Sequence, residues 1–405
     1  MRTIGRSPRG AGRVRITACL ILPFLLLNCG TSARTGGGAG TRTHRLTEIL
    51  ARVKSEFNIP ALGVIALDSR GVIEQAIVGV RDIGGADPAA CEDYFHLGSN
   101  TKSITGFIAA KLVQDGLIGW DTRFFDLVPE LAAASRSDYQ DITLADLLSH
   151  RAWVQPLASG ADLEMIPELE GGIMERRIGF AEYVLKQEPT RTSGQSLFKP
   201  YAYSNAGYVL AAVMLERAGG KSWEELAHKV LVDDLGLSMH VGFPVEVGQN
   251  QPRGHLPGAY VGKGKDALMI YDTEYRVKHD DVLSPAGNVS MPMVDFAELV
   301  RLNLQGLEGA DNYLTADMYR YIHFGIPQYA IGWENSRENN IDVSSHSGSK
   351  GNFMCHARII KDKDLALVVF ANSGIVNALN PISRFFGELK LAGYLDEIQR
   401  LFEAP

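Results

Sequence analysis

Runs with the character of β-strands stand at both ends of this chain and enclose a long middle with helical patterns. Near the start, 62–67 and 71–80 are rich in β-branched residues, and the polar residues Asp68 to Arg70 between them predict a hairpin. Three further runs lie near the other end: 329–333, 352–360 and 365–370. The chain is therefore predicted to be an α/β (α+β) protein, in which an antiparallel sheet built from both ends is flanked by helices and carries an inserted all-helical domain.

Apolar residues at helical spacing define the middle and its borders. One such pattern occupies 44–57, and another at 382–402 closes the chain. The patterns between them cover 104–114, 144–148, 208–218, 223–230 and 294–304. We expect one folded unit at 44–400, with an α/β part at about 44–102 and 285–400 and a helical part at about 103–284.

The first residues have the order of an export signal. Five arginines and no acidic residue occur in the first fifteen positions, and the apolar stretch Ile16 to Leu27 follows. That stretch is shorter than the roughly 20 residues of a membrane-spanning helix, so a signal peptide at 1–29 is predicted. The glycine-rich residues 30–43 then form a flexible linker.

Two alternatives remain for the end of the leader. Leu26 to Cys29 resembles a bacterial lipobox, in which the cysteine is lipidated, although Asn28 stands where a small residue is usual. Ordinary cleavage after Ala33 is the competing interpretation. We therefore expect an exported protein that is periplasmic or anchored to the membrane as a lipoprotein through Cys29, or alternatively secreted.

Charge and cysteine content limit the partners. Without the five leader arginines the formal net charge of −7 becomes −12, which gives no electrostatic footprint for nucleic acid. Cys91 and Cys355 are the only cysteines after Cys29, and in an exported protein they could pair, but the sequence does not fix their separation. No C-x-x-C or H-E-x-x-H occurs, so a structural zinc or a zincin site has no support. No cofactor is expected.

The tetrad S-x-x-K is the first pattern that carries chemistry, and it begins at Ser99, Ser196 and Ser347. A serine nucleophile and its lysine must share one helical face, with the serine near a helix N-terminus, where free N–H groups favour an oxyanion. Only Ser99 with Lys102 is followed by a helical pattern. Pro200 disfavours a helix after Ser196, and Ser347 lies at a strand start. The alternative is that Ser99 only caps a helix.

Two motifs farther along favour the catalytic interpretation. Y-x-N occurs at Tyr203 to Asn205, just before the helix near 208, and H-S-G occurs at His346 to Gly348, entering a strand. Penicillin-binding proteins and class A β-lactamases combine S-x-x-K with S-D-N and K-T-G in this order. The alternatives are an ordinary turn before a helix for Tyr203 and Asn205, and a strand-end histidine without a role for His346.

With three motifs in order, the sequence resembles the class C β-lactamase-related, penicillin-binding-protein-like serine hydrolases, a family that includes D-amino-acid peptidases and serine esterases. The similarity extends over about 44–400. It is carried by residues 95–102, 142–150, 203–208, 285–288, 331–333 and 346–348. The resemblance implies the β-lactamase/penicillin-binding-protein transpeptidase-like fold.

The resemblance also implies roles for the motif residues. Ser99 would be the nucleophile, and Lys102 and Tyr203 would remove and return its proton, which requires a lowered pKa for one of the two. The backbone N–H groups of Ser99 and Ser349 would form the oxyanion hole. The substrate-binding residues implied are Asn205, His346, Ser347 and Gly348, with Asn205 holding the acyl-side amide or carbonyl.

Two departures from the family pattern bear on specificity. His346 stands where class C β-lactamases carry lysine, as it does in esterase and peptidase relatives, and this makes efficient β-lactam turnover doubtful because a lysine holds a fixed charge for the substrate carboxylate. Arg151 to Trp153 replace the usual Thr-Ser-Gly after His150. His150 itself is expected to be a structural residue.

The predicted function is hydrolysis of an amide or ester through an acyl-enzyme on Ser99, with a β-lactam, a D-amino-acid peptide or a short ester as substrate. The alternatives are a carboxylesterase of the same family and a catalytically inactive ligand-binding or cell-wall-associated module on this fold. The expected partner is a small-molecule or peptide substrate, and the expected oligomeric state is a monomer.

Overall fold

The structure is a computed structural model that describes residues 39–157, 160–190, 201–257, 268–270, 278–338, 340–373 and 400. The expected signal peptide with Cys29 lies outside these residues, as does the expected helix at 382–402 apart from Arg400. The first helix begins at Ala39, so the end of the expected linker, up to 43, is helical.

The described residues form a run of helices in the middle, from Thr101 to His228, and a run of strands near the end, from Glu334 to Ala371. The helices are α1 (Ala39–Phe57), α2 (Thr101–Gln114), α3 (Phe124–Leu127), α4 (Leu144–Leu148), α5 (Gly160–Glu164), α6 (Ile173–Leu185), α7 (Asn205–Gly219), α8 (Trp223–His228), α9 (Pro244–Val247), α10 (Ser284–Gly287), α11 (Met293–Leu307) and α12 (Ala316–Phe324). The strands are β1 (Ala61–Asp68), β2 (Gly71–Gly79), β3 (Tyr94–His96), β4 (His240–Val241), β5 (His255–Pro257), β6 (Leu268–Ile270), β7 (Val289–Pro292), β8 (Glu334–Glu338), β9 (Ile341–Lys350), β10 (Phe353–Ile360) and β11 (Leu365–Ala371). The middle of the chain is therefore not all-helical, since it contributes β4, β5 and β6.

One six-stranded antiparallel sheet joins the two ends of the chain, in the order β2-β1-β11-β10-β9-β8. β1 pairs with β11, with Val64 opposite Val369, and with β2 through the expected hairpin. Every residue of β1 and of β11 is buried. The prediction of a sheet built from both ends is confirmed.

Two strand predictions near the end of the chain were wrong in detail. Residues 329–333 form no strand, because Gly332 has a φ of +80° and passes so close to α2 that an added Cβ would lie 2.5 Å from the carbonyl oxygen of Lys102. The strand of this region is β8, which follows. The H-S-G motif lies near the end of β9 rather than at its entry.

Helices cover both faces of this sheet. Leu46 and Leu50 of α1 pack on one face with Val64 of β1, and α2 and α11 pack on the other face in the main core. Residues 101–110 of α2 are all buried, so this helix has no solvent face near its start. The first turn of α2 therefore lies in the interior, between the sheet and the helical part.

Two expectations from the sequence concern cysteines and membranes. Cys91 and Cys355 are both buried, and no disulfide joins them to each other in the described structure. Among the described helices, none is long and apolar enough to cross a membrane.

Candidate active site

Ser99 lies in a single 3₁₀ turn, Gly98–Asn100, that leads directly into α2. Gly98 has a φ of +52°, and a Cβ at this position would lie 2.3 Å from the backbone nitrogen of Ser349. A Cβ on Gly348 would lie 2.7 Å from the backbone nitrogen of Ser99. The two glycines therefore let the end of β9 run against the turn, which brings the backbone of Ser349 beside Ser99.

Lys102 is fully buried one helical turn after Ser99, as the S-x-x-K spacing predicts. Its Nζ lies 3.2 Å from Ser99 Oγ, 2.8 Å from Asn205 Oδ1 and 2.6 Å from the carbonyl oxygen of Ala286. Burial lowers the pKa of Lys102 well below its usual value, and the charge of Lys350 lowers it further. The site thus favours an uncharged amine that can accept a proton.

Tyr203 approaches the same serine from the helical part. Its hydroxyl donates to Ser99 Oγ at 2.7 Å, and its ring centre lies 4.8 Å from Lys102 Nζ. Burial raises the pKa of Tyr203, and the hydrogen bond with Ser99 offsets this only in part. Of the two candidates for a lowered pKa, only Lys102 has one, whereas Tyr203 is a neutral phenol that donates.

Asn205 is the first residue of α7, after the cap residue Ser204, so this helix begins earlier than the sequence pattern near 208 predicted. Its Oδ1 accepts from Lys102, and its Nδ2 donates to the carbonyl oxygen of Leu157 at 3.1 Å. Because an amide nitrogen has two N–H groups, this geometry leaves one donor of Asn205 for a ligand. The side chain holds Lys102 in place as well as facing the site.

His346 lies in the interior, with 2% of its surface exposed. Its Nε2 lies 2.9 Å from the hydroxyl of Tyr329. Burial lowers the pKa of His346 to about 3, and the nearby Lys102 also lowers it. The residue is thus an uncharged imidazole beside Lys102, and its expected contact with the substrate stays a prediction.

Ser347 points to the opposite face of the sheet. Its Oγ lies 2.9 Å from Nδ1 of His356. On β10, His356 shares a face with Met354, which packs in the cluster around α1. The Ser347 side chain therefore points away from Ser99, because neighbouring residues of a strand alternate between its faces and Gly348 already faces Ser99. The expected role of Ser347 in substrate binding stays a prediction.

Lys350 is a charged residue near the site that the sequence analysis set aside with the third S-x-x-K. Its Nζ donates to Asn288 Oδ1 at 2.9 Å and forms an ion pair with Asp280. Asn288 and Asp280 both line a cavity of about 360 Å³. The alternation of side chains along a strand could have identified Lys350 from the sequence. Lys350 is four residues after His346, so the two side chains share one face of β9.

The chemistry of the site comes from a hydroxyl held between an amine and a phenol. The described residues contain no group of three or more His, Cys, Asp or Glu side chains that could hold a metal ion. The groups that the structure brings together are the side chains of Ser99, Lys102, Tyr203 and Asn205 and the backbone of Ser349.

Comparisons with known proteins agree on one family. The family model described as Beta-lactamase matches residues 46–381. Penicillin-binding protein 4 of Amycolatopsis lactamdurans is 21% identical over 360 residues, which cover 84% of this chain and 88% of that protein.

Solved structures show the same fold at low sequence identity. The D-amino acid amidase from Ochrobactrum anthropi, solved with L-phenylalanine amide, has a TM-score of 0.68 at 18% identity, and the match covers 90% of this chain and 99% of the amidase. The class C β-lactamase from Rhodobacter sphaeroides has a TM-score of 0.63 at 18% identity, with 84% and 95% covered.

Proposed function

Because the chain belongs to the β-lactamase family of serine hydrolases, we propose that it forms an acyl-enzyme on Ser99 and hydrolyses an amide or an ester. The observation that carries this proposal is the position of Ser99 Oγ, 3.2 Å from Lys102 Nζ and 2.7 Å from the hydroxyl of Tyr203. A serine hydroxyl becomes a useful nucleophile when a neighbouring base takes its proton. The reaction proposed needs no metal or organic cofactor.

Counting hydrogen bonds supports Lys102 as that base. An uncharged amine has two N–H groups and one lone pair. The side-chain oxygen of Asn205 and the carbonyl oxygen of Ala286 can only accept, so they take the two N–H groups. The lone pair is then left for the hydroxyl proton of Ser99, which passes to Lys102 as Oγ attacks the substrate carbonyl.

The remaining groups account for the rest of the cycle. The tetrahedral oxyanion would be held by the backbone N–H groups of Ser99 and Ser349, which the two glycines bring side by side. The leaving group would take the hydroxyl proton of Tyr203, and Tyr203 would regain one from Lys102. A water molecule then releases the acyl group from Ser99 by the same steps in reverse order.

The charge state of His346 favours substrates that have no carboxylate near this residue. A lysine there would supply a fixed positive charge, but His346 is buried and its pKa is lowered to about 3, so it is neutral near pH 7. We therefore infer a preference for neutral esters or amides over carboxylate-bearing β-lactams.

We also propose that the protein acts outside the cytoplasm, tethered through a lipid on Cys29. The arginine-rich start, the short apolar stretch and the lipobox-like Leu26 to Cys29 support this. Radiolabelled palmitate should enter the wild type but not Cys29→Ala. An unlabelled protein that begins near Arg34 would indicate ordinary secretion instead.

Covalent labelling tests the proposed function directly. A fluorophosphonate probe should label the wild type at Ser99, and Ser99→Ala should lose both the label and the turnover of p-nitrophenyl butyrate, nitrocefin or D-alanyl peptides, whichever the wild type hydrolyses. The circular dichroism spectrum serves as the control, because the substitution removes only a hydroxyl. A folded Ser99→Ala protein with near-normal turnover would overturn the proposal.

A further inference from the structure

The segment that carries Tyr203 has no regular structure of its own. Residues 201–204 belong to no helix or strand, and α7 begins only at Asn205. The position of the phenol on Ser99 must therefore come from whatever holds this segment in place.

His150 holds the segment on both sides of Tyr203. The N–H of Ala202 donates to the carbonyl oxygen of His150 at 2.8 Å, and the N–H of Ser204 donates to its Nδ1 at 3.1 Å. The centres of the His150 and Tyr203 rings are 4.4 Å apart. One buried residue thus fixes the chain before the tyrosine and the chain after it, and packs against the ring itself.

His150 occupies a helix-end position that favours glycine. α4 ends at Leu148, and the N–H of His150 turns back to the carbonyl oxygen of Leu147 at 3.3 Å. The N–H of Arg151 donates to the carbonyl oxygen of Asp146 at 2.7 Å. This is the pattern of a Schellman motif, and His150 has the positive φ, +60°, that such a motif requires. A histidine here carries a backbone cost that glycine would avoid, which is explained if the imidazole has a task of its own.

The hydrogen bond from Ser204 also sets the form of the ring. Because Nδ1 of His150 accepts, the ring proton is on Nε2. Burial lowers the pKa of His150 well below its usual value, with Lys102 and His346 adding to the effect. The neutral ring therefore keeps Nδ1 available as an acceptor.

We propose that His150 is the positioning residue of Tyr203, which holds the phenol on Ser99 so that it can give its proton to the leaving group. This inference rests on the proposed acyl-enzyme mechanism. It has a specific consequence: a leaving group that must be protonated needs His150, whereas one that departs as a stable anion does not.

Two variants of the same shape test this consequence. His150→Leu removes the acceptor, whereas His150→Asn places an oxygen near the Nδ1 position and tolerates a positive φ. The substrates are p-nitrophenyl butyrate, which releases a stable anion, and ethyl butyrate, which releases an alkoxide. In His150→Leu the kcat/KM ratio of the ethyl ester to the p-nitrophenyl ester should fall by about tenfold to a hundredfold. This is at or below the lower end of the general-acid contribution of about 10²–10⁴, because Tyr203 is displaced and not removed. His150→Asn should restore the ratio to within about threefold. An equal loss on both esters in His150→Leu would overturn the inference.

A measurement independent of activity separates this inference from the proposed function. With 3-fluorotyrosine incorporated, the ¹⁹F resonance of Tyr203 is identified by its absence from Tyr203→Phe. It should shift or broaden in His150→Leu and keep its position in His150→Asn. If His150→Leu does not fold, His150→Gln, whose amide lies one carbon farther out, takes its place. An unmoved resonance would overturn the inference, whereas a moved resonance in a protein whose wild type labels at no serine would refute only the acyl-enzyme.

Discussion

The two proton-transfer partners proposed for Ser99 are held in different ways. Lys102 is on the same helix, three residues on, and is completely buried. Tyr203 comes from a segment 104 residues away that is docked by His150. The first partner is fixed by the geometry of one helical turn, the second by tertiary contacts. A distant substitution should therefore disturb Tyr203, the proposed acid, more than Lys102, the proposed base.

The largest effect should come from the locally fixed partner. Lys102→Met keeps the length of the side chain and removes the base, so kcat/KM should fall by about 10⁴-fold, the upper end of the contribution of general acid–base catalysis. Steady-state kinetics measures this with whichever of p-nitrophenyl butyrate, nitrocefin and D-alanyl peptides the wild type hydrolyses best. The circular dichroism spectrum is the control for folding. A folded variant that keeps a tenth of the activity would show that Lys102 is not the base.

A smaller loss of activity is expected from Tyr203, the partner that is held by tertiary contacts. Tyr203→Phe removes the proton donor but leaves Lys102 in place, and water can replace part of a partly exposed phenol. The turnover of an alkyl ester should fall by about a hundredfold, the lower end of the same range, and that of a p-nitrophenyl ester by less. Equal losses on the two esters would mean that Tyr203 does not protonate the leaving group.

The pH dependence of stability sharpens the comparison. The pKa of Lys102 is lowered by folding from 10.5, so between the folded value and 10.5 the unfolded chain binds more protons than the native protein. Stability should therefore rise with pH in this window, by at most about 1.4 kcal/mol per pH unit for one proton. Urea unfolding at pH 7 to 10 should show the wild type gaining stability relative to Lys102→Met. A difference that does not change with pH would mean that Lys102 is charged in the native protein.

The smallest effect on activity should come from Ser347, whose side chain points away from Ser99. Ser347→Ala loses only the contact with His356, so activity should stay within about threefold of the wild type while stability falls by about 0.5–1.5 kcal/mol. Kinetics and urea unfolding of the same preparation measure both quantities. A large loss of activity without a loss of stability would show that Ser347 takes part in substrate binding.

Features set by near neighbours in the chain could be predicted from the sequence. The Ser99 and Lys102 pair needs only one helical turn, and the β1–β2 hairpin needs only alternating strands with a polar turn. The pairing of β10 with β11 follows in the same way. For these elements the pattern alone indicates which residues come together.

Features set by packing could not be predicted. Residues 329–333 have strand character, but the close approach of Gly332 to Lys102 forces a turn. The strand period tells that His346 and Ser347 lie on opposite faces, yet not that Tyr329 closes over His346. Nothing near Tyr203 in the sequence points to His150 as the residue that docks it.

The pairing of β1 with β11 has a consequence for how the enzyme is made. The two strands come from opposite ends of the described chain, and Ser349 meets Ser99 only because β9 belongs to the same sheet. Such long-range pairings form slowly and late, because the entropy of closing a large loop must be overcome first. A ribosome must therefore release nearly all of the chain before Ser349 can meet Ser99. An unfinished polypeptide with every residue of the first two motifs still lacks the proposed oxyanion hole.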